Sequence, residues 1–205
     1  MARTPKVVEE RREQIIDAAL LVFAEKGFAR ATNREIAQRA GITSGLIYYY
    51  FKSKEELLRA ALEERSPLQI TVQMGPEMLE QPPEVFLPQV LMRVLGIVES
   101  ERFVSLIRIV VPEVMHGSGE VAPIALSVFQ RVLAFLSRYL QAQVERGSVR
   151  GDLDPQMMAQ FLVSHLIGLV IRRQILGDPG ALQFSHEELT RSVLETFCRG
   201  ILARP

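Results

Sequence analysis

Apolar residues recur along this chain at three- and four-residue intervals, and almost nowhere do they alternate. Ile15, Ala19, Val22 and Phe23, flanked by Ile16 and Leu20, repeat at helical spacing; Gly27 then stops the run, as a left-handed glycine commonly ends a helix. Three S/T-x-x-E sequences mark helix starts: Thr32 to Glu35, Ser53 to Glu56 and Ser185 to Glu188. In each, the hydroxyl caps the backbone N–H of the glutamate, and the glutamate side chain reaches back to the cap residue. The pattern predicts helices over about 8–27, 33–40 and 44–51, and a fourth from 54 that ends before Gly75-Pro76. Pro82-Pro83 opens the next, which Pro88 either delays or kinks and which runs to about 100. A helix from about 102 bends at Pro112 and ends near Gly117, and a long one from near Pro123 reaches Arg146. Asp154-Pro155 reads as N-cap and first residue of a helix ending at Gly177, and the last helix covers about 186–203. The expectation is an all-α chain of about nine helices, with no sheet and no internal repeat.

Two short helices joined by the tight turn at Ala40-Gly41 form a helix-turn-helix unit, whose second helix lies in the DNA major groove. At about 100° per residue, Ile47 and Phe51 share a face with the apolar side of the preceding helix, where Ile36 and Ala40 sit. Gly45, Leu46 and Tyr49 then point the opposite way, with Tyr48 and Tyr50 on the flanks. Each outward feature has a use on DNA. Thr43 and Ser44 place hydroxyls and free N–H groups at a helix N-terminus, which suits phosphate. Gly45 lets backbone and bases approach closely. Leu46 fits a thymine methyl. Tyr48 and Tyr50 can donate phenolic hydrogen bonds to phosphates, and Lys54 can reach another. Arg34 is placed for a guanine edge or a phosphate, and Thr32 stands at the start of the same helix.

Charge and composition sharpen this picture. The 205 residues carry equal numbers of basic and acidic groups, but not evenly: residues 1–54 hold ten Lys or Arg against six Asp or Glu, and 55–205 hold fourteen against eighteen. A basic head on an acidic body is a modest footprint for a polyanion. The single cysteine, Cys198, excludes a disulfide framework and a cysteine zinc site, and reads as a small buried apolar residue. The N-terminus lacks the apolar stretch of a signal peptide, and the apolar run Phe161–Ile171, interrupted by His165, is shorter than the roughly 20 residues a bilayer needs. A cytoplasmic protein without a membrane partner is expected. No G-x-S-x-G or H-E-x-x-H occurs; His116, His165 and His186 are scattered; and Met115–Gly119 lacks the Gly-Lys-Ser/Thr ending of a phosphate loop. Neither an enzyme, a cofactor nor a metal site is expected.

The stretch Thr32–Leu58, TNREIAQRAGITSGLIYYYFKSKEELL, resembles the DNA-binding signature of TetR-family transcriptional regulators. The likeness includes the capped second helix, the Ala-Gly-Ile turn, the Tyr-x-Tyr-Phe helix, the Ser-Lys-Glu start of the fourth helix, and the upstream helix ending in Gly-Phe. It covers about 8–62. Ser44 departs from the bulky or charged residue often found there.

The resemblance implies a helix-turn-helix DNA-binding domain over 1–54 and a helical ligand-binding and dimerisation domain over 55–205. It implies a homodimer on a palindromic operator, repression, and release by a small, largely apolar effector that moves the fourth helix. The last two long helices would pair with their copies through Phe161, Leu162, Leu166, Leu169, Leu189, Val193, Phe197 and Ile201. Met74, Met78, Phe86, Phe103, Ile107, Phe129 and Leu133 are candidate pocket walls, with Arg108 and His165 as polar members. An arginine in such a pocket would favour an anionic effector.

Overall fold

The computed structural model describes residues 5–74 and 76–202. They form twelve α-helices: α1 (Pro5–Lys26), α2 (Asn33–Arg39), α3 (Ser44–Tyr50), α4 (Lys54–Arg65), α5 (Leu68–Gln73), α6 (Pro76–Leu79), α7 (Pro83–Val98), α8 (Glu101–Met115), α9 (Val121–Glu145), α10 (Pro155–Val170), α11 (Pro179–Leu182) and α12 (His186–Ile201). Among the described residues the β pairing is confined to an isolated bridge between Val149 and Leu202.

Three helices exceed the expected nine, and local chemistry accounts for two of them. The helix expected to run from 54 to Gly75 breaks at Ser66, because Pro67 cannot donate to the ladder; Pro67 instead starts α5. Asp178-Pro179-Gly180 is not a plain breaker: the Asp178 carboxylate accepts the Gly180 N–H at 2.8 Å and opens α11. α6 is the third. Pro88 lies inside α7 and does not delay its start at Pro83. After α10 the chain continues as a π turn over Ile171–Ile175, and Gly177 ends it at φ +57°.

These elements pack into two compact units. The first holds α1 to α4, α8 and the start of α9 through Val128; the second holds α5 to α7 and everything from Phe129. By packing, α4 therefore belongs with the helices before it. The first unit closes on Ile15, Ile16, Phe23, Phe28, Ile36, Ile47, Phe51, Leu57 and Leu58, all essentially without solvent contact. In the second, Phe86 and Tyr139 stack with ring centroids 4.0 Å apart, within a core that includes Leu91, Leu140, Leu162 and Phe197.

α9 has the length and apolarity of a bilayer span by composition, although Arg131 and Arg138 lie within it.

Candidate nucleic-acid interface and effector cavity

The backbone of the head is set by its caps. Thr32, extended at φ −120°, accepts from the Glu35 N–H, and the Glu35 carboxylate returns to Thr32. Hydrogen bonds from Lys26 and Thr32 hold the Glu35 carboxyl below the usual glutamate range. The box at Ser185 is reciprocal in the same way. At Ser53 it is not: Ser53 caps Glu56, but the Glu56 carboxylate takes the Lys52 N–H at 2.6 Å instead. Between α2 and α3, Gly41 is left-handed at φ +63°, and Ile42 donates back to the Ala37 carbonyl. Gln14 of α1 donates to the Ala40 carbonyl at 2.8 Å, which fixes α2 against α1.

α3 presents two unlike faces. Ile47 and Phe51 are 1% and 2% exposed, whereas Tyr48 and Tyr49 are 58% and 72% exposed. Gly45 is exposed, and a Cβ added there would meet nothing within 4 Å. Leu46 and Ser44 are half-buried beside them. Thr43 is the N-cap, and its hydroxyl makes no cap bond. Arg34 is exposed and has no charged partner among the described residues. The outward surface is thus built by Arg34, Thr43, Ser44, Gly45, Leu46, Tyr48 and Tyr49.

Three residues sit differently from their expected use. Tyr50 is half-buried, and its hydroxyl is out of solvent with no partner among the described residues, so it does not point at a phosphate; its ring lies edge-on to Tyr49 at 5.1 Å. Lys54 turns inward, donating to the carbonyls of Phe28 at 2.9 Å and Ala29 at 3.2 Å, with its ammonium 4.8 Å from the Phe28 ring centroid. The Thr32 hydroxyl is engaged with Glu35. Sequence spacing missed Lys52, which is exposed and whose ammonium has no partner among the described residues. Elsewhere in the head Lys26 pairs with Glu35, Arg39 with Glu25 and Arg12 with Glu64, so these three cations are committed to the protein.

In the second unit an apolar cavity of about 60 Å³ is lined by fourteen residues, among them Pro67, Ile70, Phe86, Val132, Phe135 and Leu162. Its one polar side chain, Thr71, donates to the Leu68 carbonyl. Of the nine expected wall residues, only Phe86 lines it. Met74, Met78, Phe129 and Leu133 pack against the core from its edge. Phe103, Ile107 and Arg108 belong to α8 in the first unit, and Arg108 is exposed. A helical period identifies an apolar face but not which neighbour it meets, and here α8 faces α1 and α4.

The expected dimer stripe of α12 is also turned inward. Leu189, Val193, Phe197 and Ile201 are buried at 8% exposure or less, and α12 packs on α7. Leu162 of α10 is buried with them, and Leu166 and Leu169 are half-buried. Phe161, 72% exposed, remains outside. Beside it a shallow cleft of about 110 Å³ is lined by Phe161, Leu162, His165, Ser192, Val193, Thr196 and Phe197. His165, expected in the pocket, stands here instead.

A family profile described as "Bacterial regulatory proteins, tetR family" matches residues 15–61, and one described as "Tetracyclin repressor-like, C-terminal domain" matches 109–189. The transcriptional regulator SrpR of Pseudomonas putida is 32% identical over 174 residues, which are 83% of this chain and 78% of the relative. The chain belongs to the TetR family. TtgR, a transcriptional regulator of Pseudomonas putida, is 31% identical over 183 residues, 86% of either protein. Among solved structures, a SmeT–triclosan complex superposes with a TM-score of 0.74 at 25% identity, covering 94% of this chain and 92% of that one. TetR proteins are regulators of transcription rather than enzymes, and they bind DNA through the helix-turn-helix that α2 and α3 form here.

Proposed function

We propose that this TetR regulator is a cytoplasmic homodimeric repressor that binds a palindromic operator with α3 in the major groove and is released by a small, uncharged, apolar effector. One observation carries the DNA reading: α3 and its C-cap bury Ile47 and Phe51, while Gly45, Tyr48 and Tyr49 stand exposed on the opposite side with Leu46 half-exposed among them. A free-standing head gains nothing from exposing two tyrosines side by side, whereas a groove offers them phosphates and methyl groups. In this reading 1–54 is the part that touches DNA and 55–205 the part that binds effector and partner. Leu46 and Tyr49 read base edges. Tyr48, Arg34, Lys52 and the N-terminus of α3 at Thr43 and Ser44 hold the backbone.

Pairing is supported by the outward side of α10 and α12, where bulky Phe161 stands beside the small residues Ser192 and Thr196. Two heads joined this way gain affinity through effective concentration, and their symmetry demands a palindrome. Repression is supported by SmeT, described as the repressor of a Stenotrophomonas maltophilia multidrug efflux pump.

The chemistry of the effector follows from the cavity. Its walls are aliphatic and aromatic, and the one hydroxyl is already engaged, so nothing there compensates a buried charge. Arg108 does not supply that compensation, since it is exposed on α8. At about 60 Å³ the cavity is far below the roughly 300–1,000 Å³ of ordinary ligand pockets, so binding requires it to open. Pro67 and Ile70 line it, and Pro67 follows directly on Ser66 at the end of α4, so opening pulls on α4. Differential affinity for the open form drives the change, and reversing a 99:1 bias takes about 5.5 kcal/mol.

The reading is tested by capturing genomic fragments on the protein and titrating the captured duplex across a salt series. Salt-dependent binding to a two-fold symmetric site is expected, and salt-independent or sequence-blind binding contradicts it. In the same titration Lys52→Ala should weaken all sequences alike and reduce the salt slope by about 1. Lys54→Ala should leave the slope as it is and instead lower the unfolding temperature, because its ammonium bonds protein carbonyls.

A further inference from the structure

Five glycines adopt a left-handed backbone: Gly27, Gly41, Gly117, Gly147 and Gly177. After four of them the next residue donates its N–H back to the helix just ended: Ile42 to Ala37, Ser118 to Glu113, Ser148 to Gln143 and Asp178 to Arg172. This is the ordinary way such a helix end satisfies its last carbonyls. Gly27 is different. Its own N–H returns to the Phe23 carbonyl, but the following N–H, that of Phe28, leaves α1 and donates to the carboxylate of Glu113 on α8, at 2.9 Å. The fit is close: a Cβ on Gly27 would stand 3.3 Å from the same carboxylate oxygen.

The other side of Phe28 is held as well. Its carbonyl accepts from Lys54 of α4, and its ring packs on Phe23 with centroids 5.2 Å apart. One wholly buried residue, four positions before the cap of α2, is therefore gripped by α1, α4 and α8 together.

We infer that Glu113 is a positioning residue for DNA binding. Its carboxylate, carried on a helix far along the sequence from the head, fixes the turn from which α2 and α3 are hung, and so sets where the recognition helix stands. A local closure like those at the other four glycines would have satisfied the same N–H without α8. Handing it to Glu113 ties the turn before the recognition helix to α8, so a shift of α8 along its axis reaches that turn through this bond in addition to the packing of α8 on α1 and α4. The inference rests on the DNA reading of α3 but not on any effector.

The test compares Glu113→Ala and Glu113→Gln with the wild type, using a duplex the wild type has selected from genomic fragments. Binding is measured at a temperature where circular dichroism shows all three folded, and exchange of the Phe28 amide is followed by NMR. Glutamine keeps an oxygen at the acceptor position, whereas alanine leaves the N–H without one. Expected are an affinity loss of about tenfold for Glu113→Ala with faster Phe28 exchange, and values within about threefold of wild type for Glu113→Gln. A merely structural role would lower the melting temperature of Glu113→Ala and leave the affinity of the folded protein unchanged. That result, or unaltered Phe28 exchange in Glu113→Ala, overturns the inference. Neither outcome touches the groove-reading role of α3, which fails only if the wild type selects no duplex.

Discussion

Phe28→Ala should cost the first unit about 3–5 kcal/mol and abolish DNA binding at temperatures where the wild type is intact. The side chain is wholly buried, packs on Phe23 with the two rings tilted at 55°, and carries the Lys54 ammonium over its ring. Truncation leaves a cavity where α1 and α4 meet, and the cation over it loses its aromatic partner. The backbone bonds to Glu113 and Lys54 lose the side chain that held their peptide in place. Phe28→Leu, which keeps most of the volume, should lose far less. Urea unfolding followed alongside operator binding checks this. A Phe28→Ala protein within about 1 kcal/mol of wild type would show that the turn is held by its polar bonds alone.

Arg173→Ala should destabilise the second unit by about 3 kcal/mol, an effect on the scale of a core truncation. The guanidinium is nearly buried and serves three elements at once. It pairs with Glu99 at the end of α7 and donates to the carbonyls of Ala181 at 2.6 Å and Phe184 at 2.9 Å. Glu99 in turn meets His186, the first residue of α12. Removing the arginine leaves two carbonyls and one oxygen of the Glu99 carboxylate without their partner. A fall in melting temperature of roughly 6–12 °C follows for a chain of this size.

The same group gives the second unit a sign of pH dependence. Burial pushes the Glu99 carboxyl up, but the hydrogen bonds from Arg173 and His186 outweigh it and hold the carboxyl below the usual glutamate value. A lowered carboxylate contributes stability that is fully present above the unfolded value of about 4.3 and is lost as pH falls through the lowered value. Arg173→Ala should flatten that acid limb, which a melting series between pH 3 and 6 reads directly. An equally steep limb in the variant would contradict the role given to the pair.

Much of this was legible in the sequence, and what was not has physical reasons. The head was readable because its signals are local: Thr32, Ser53 and Gly41 act within a turn of themselves, and the faces of α3 follow from 100° per residue. Local signals do not say where a long side chain goes. Lys54 and Tyr50 stand at positions a groove would favour, yet the carbonyls of Phe28 and Ala29 compete for the ammonium, and the Tyr50 hydroxyl is buried. The body was less readable for the complementary reason. The stripe of Leu189, Val193, Phe197 and Ile201 is equally suited to α7 and to a partner chain, and apolar periodicity does not distinguish them. Phe103 and Ile107 have the composition of a pocket wall but lie in the other unit from the cavity. Glu113 reads in the sequence as a polar candidate for the effector pocket, and nothing local to it signals the bond to Phe28. Its use depends on Gly27, eighty-six positions earlier, leaving one N–H unclosed.

The most direct measurement is selection of bound duplexes from a random pool by the wild type, Leu46→Ala and Tyr49→Ala. If the exposed face of α3 reads bases, the wild type selects a motif with two-fold symmetry. Each variant then loses preference at particular positions, by about 1–3 kcal/mol per base pair, while phosphate-driven binding persists. Three proteins selecting one and the same motif with equal stringency would contradict it.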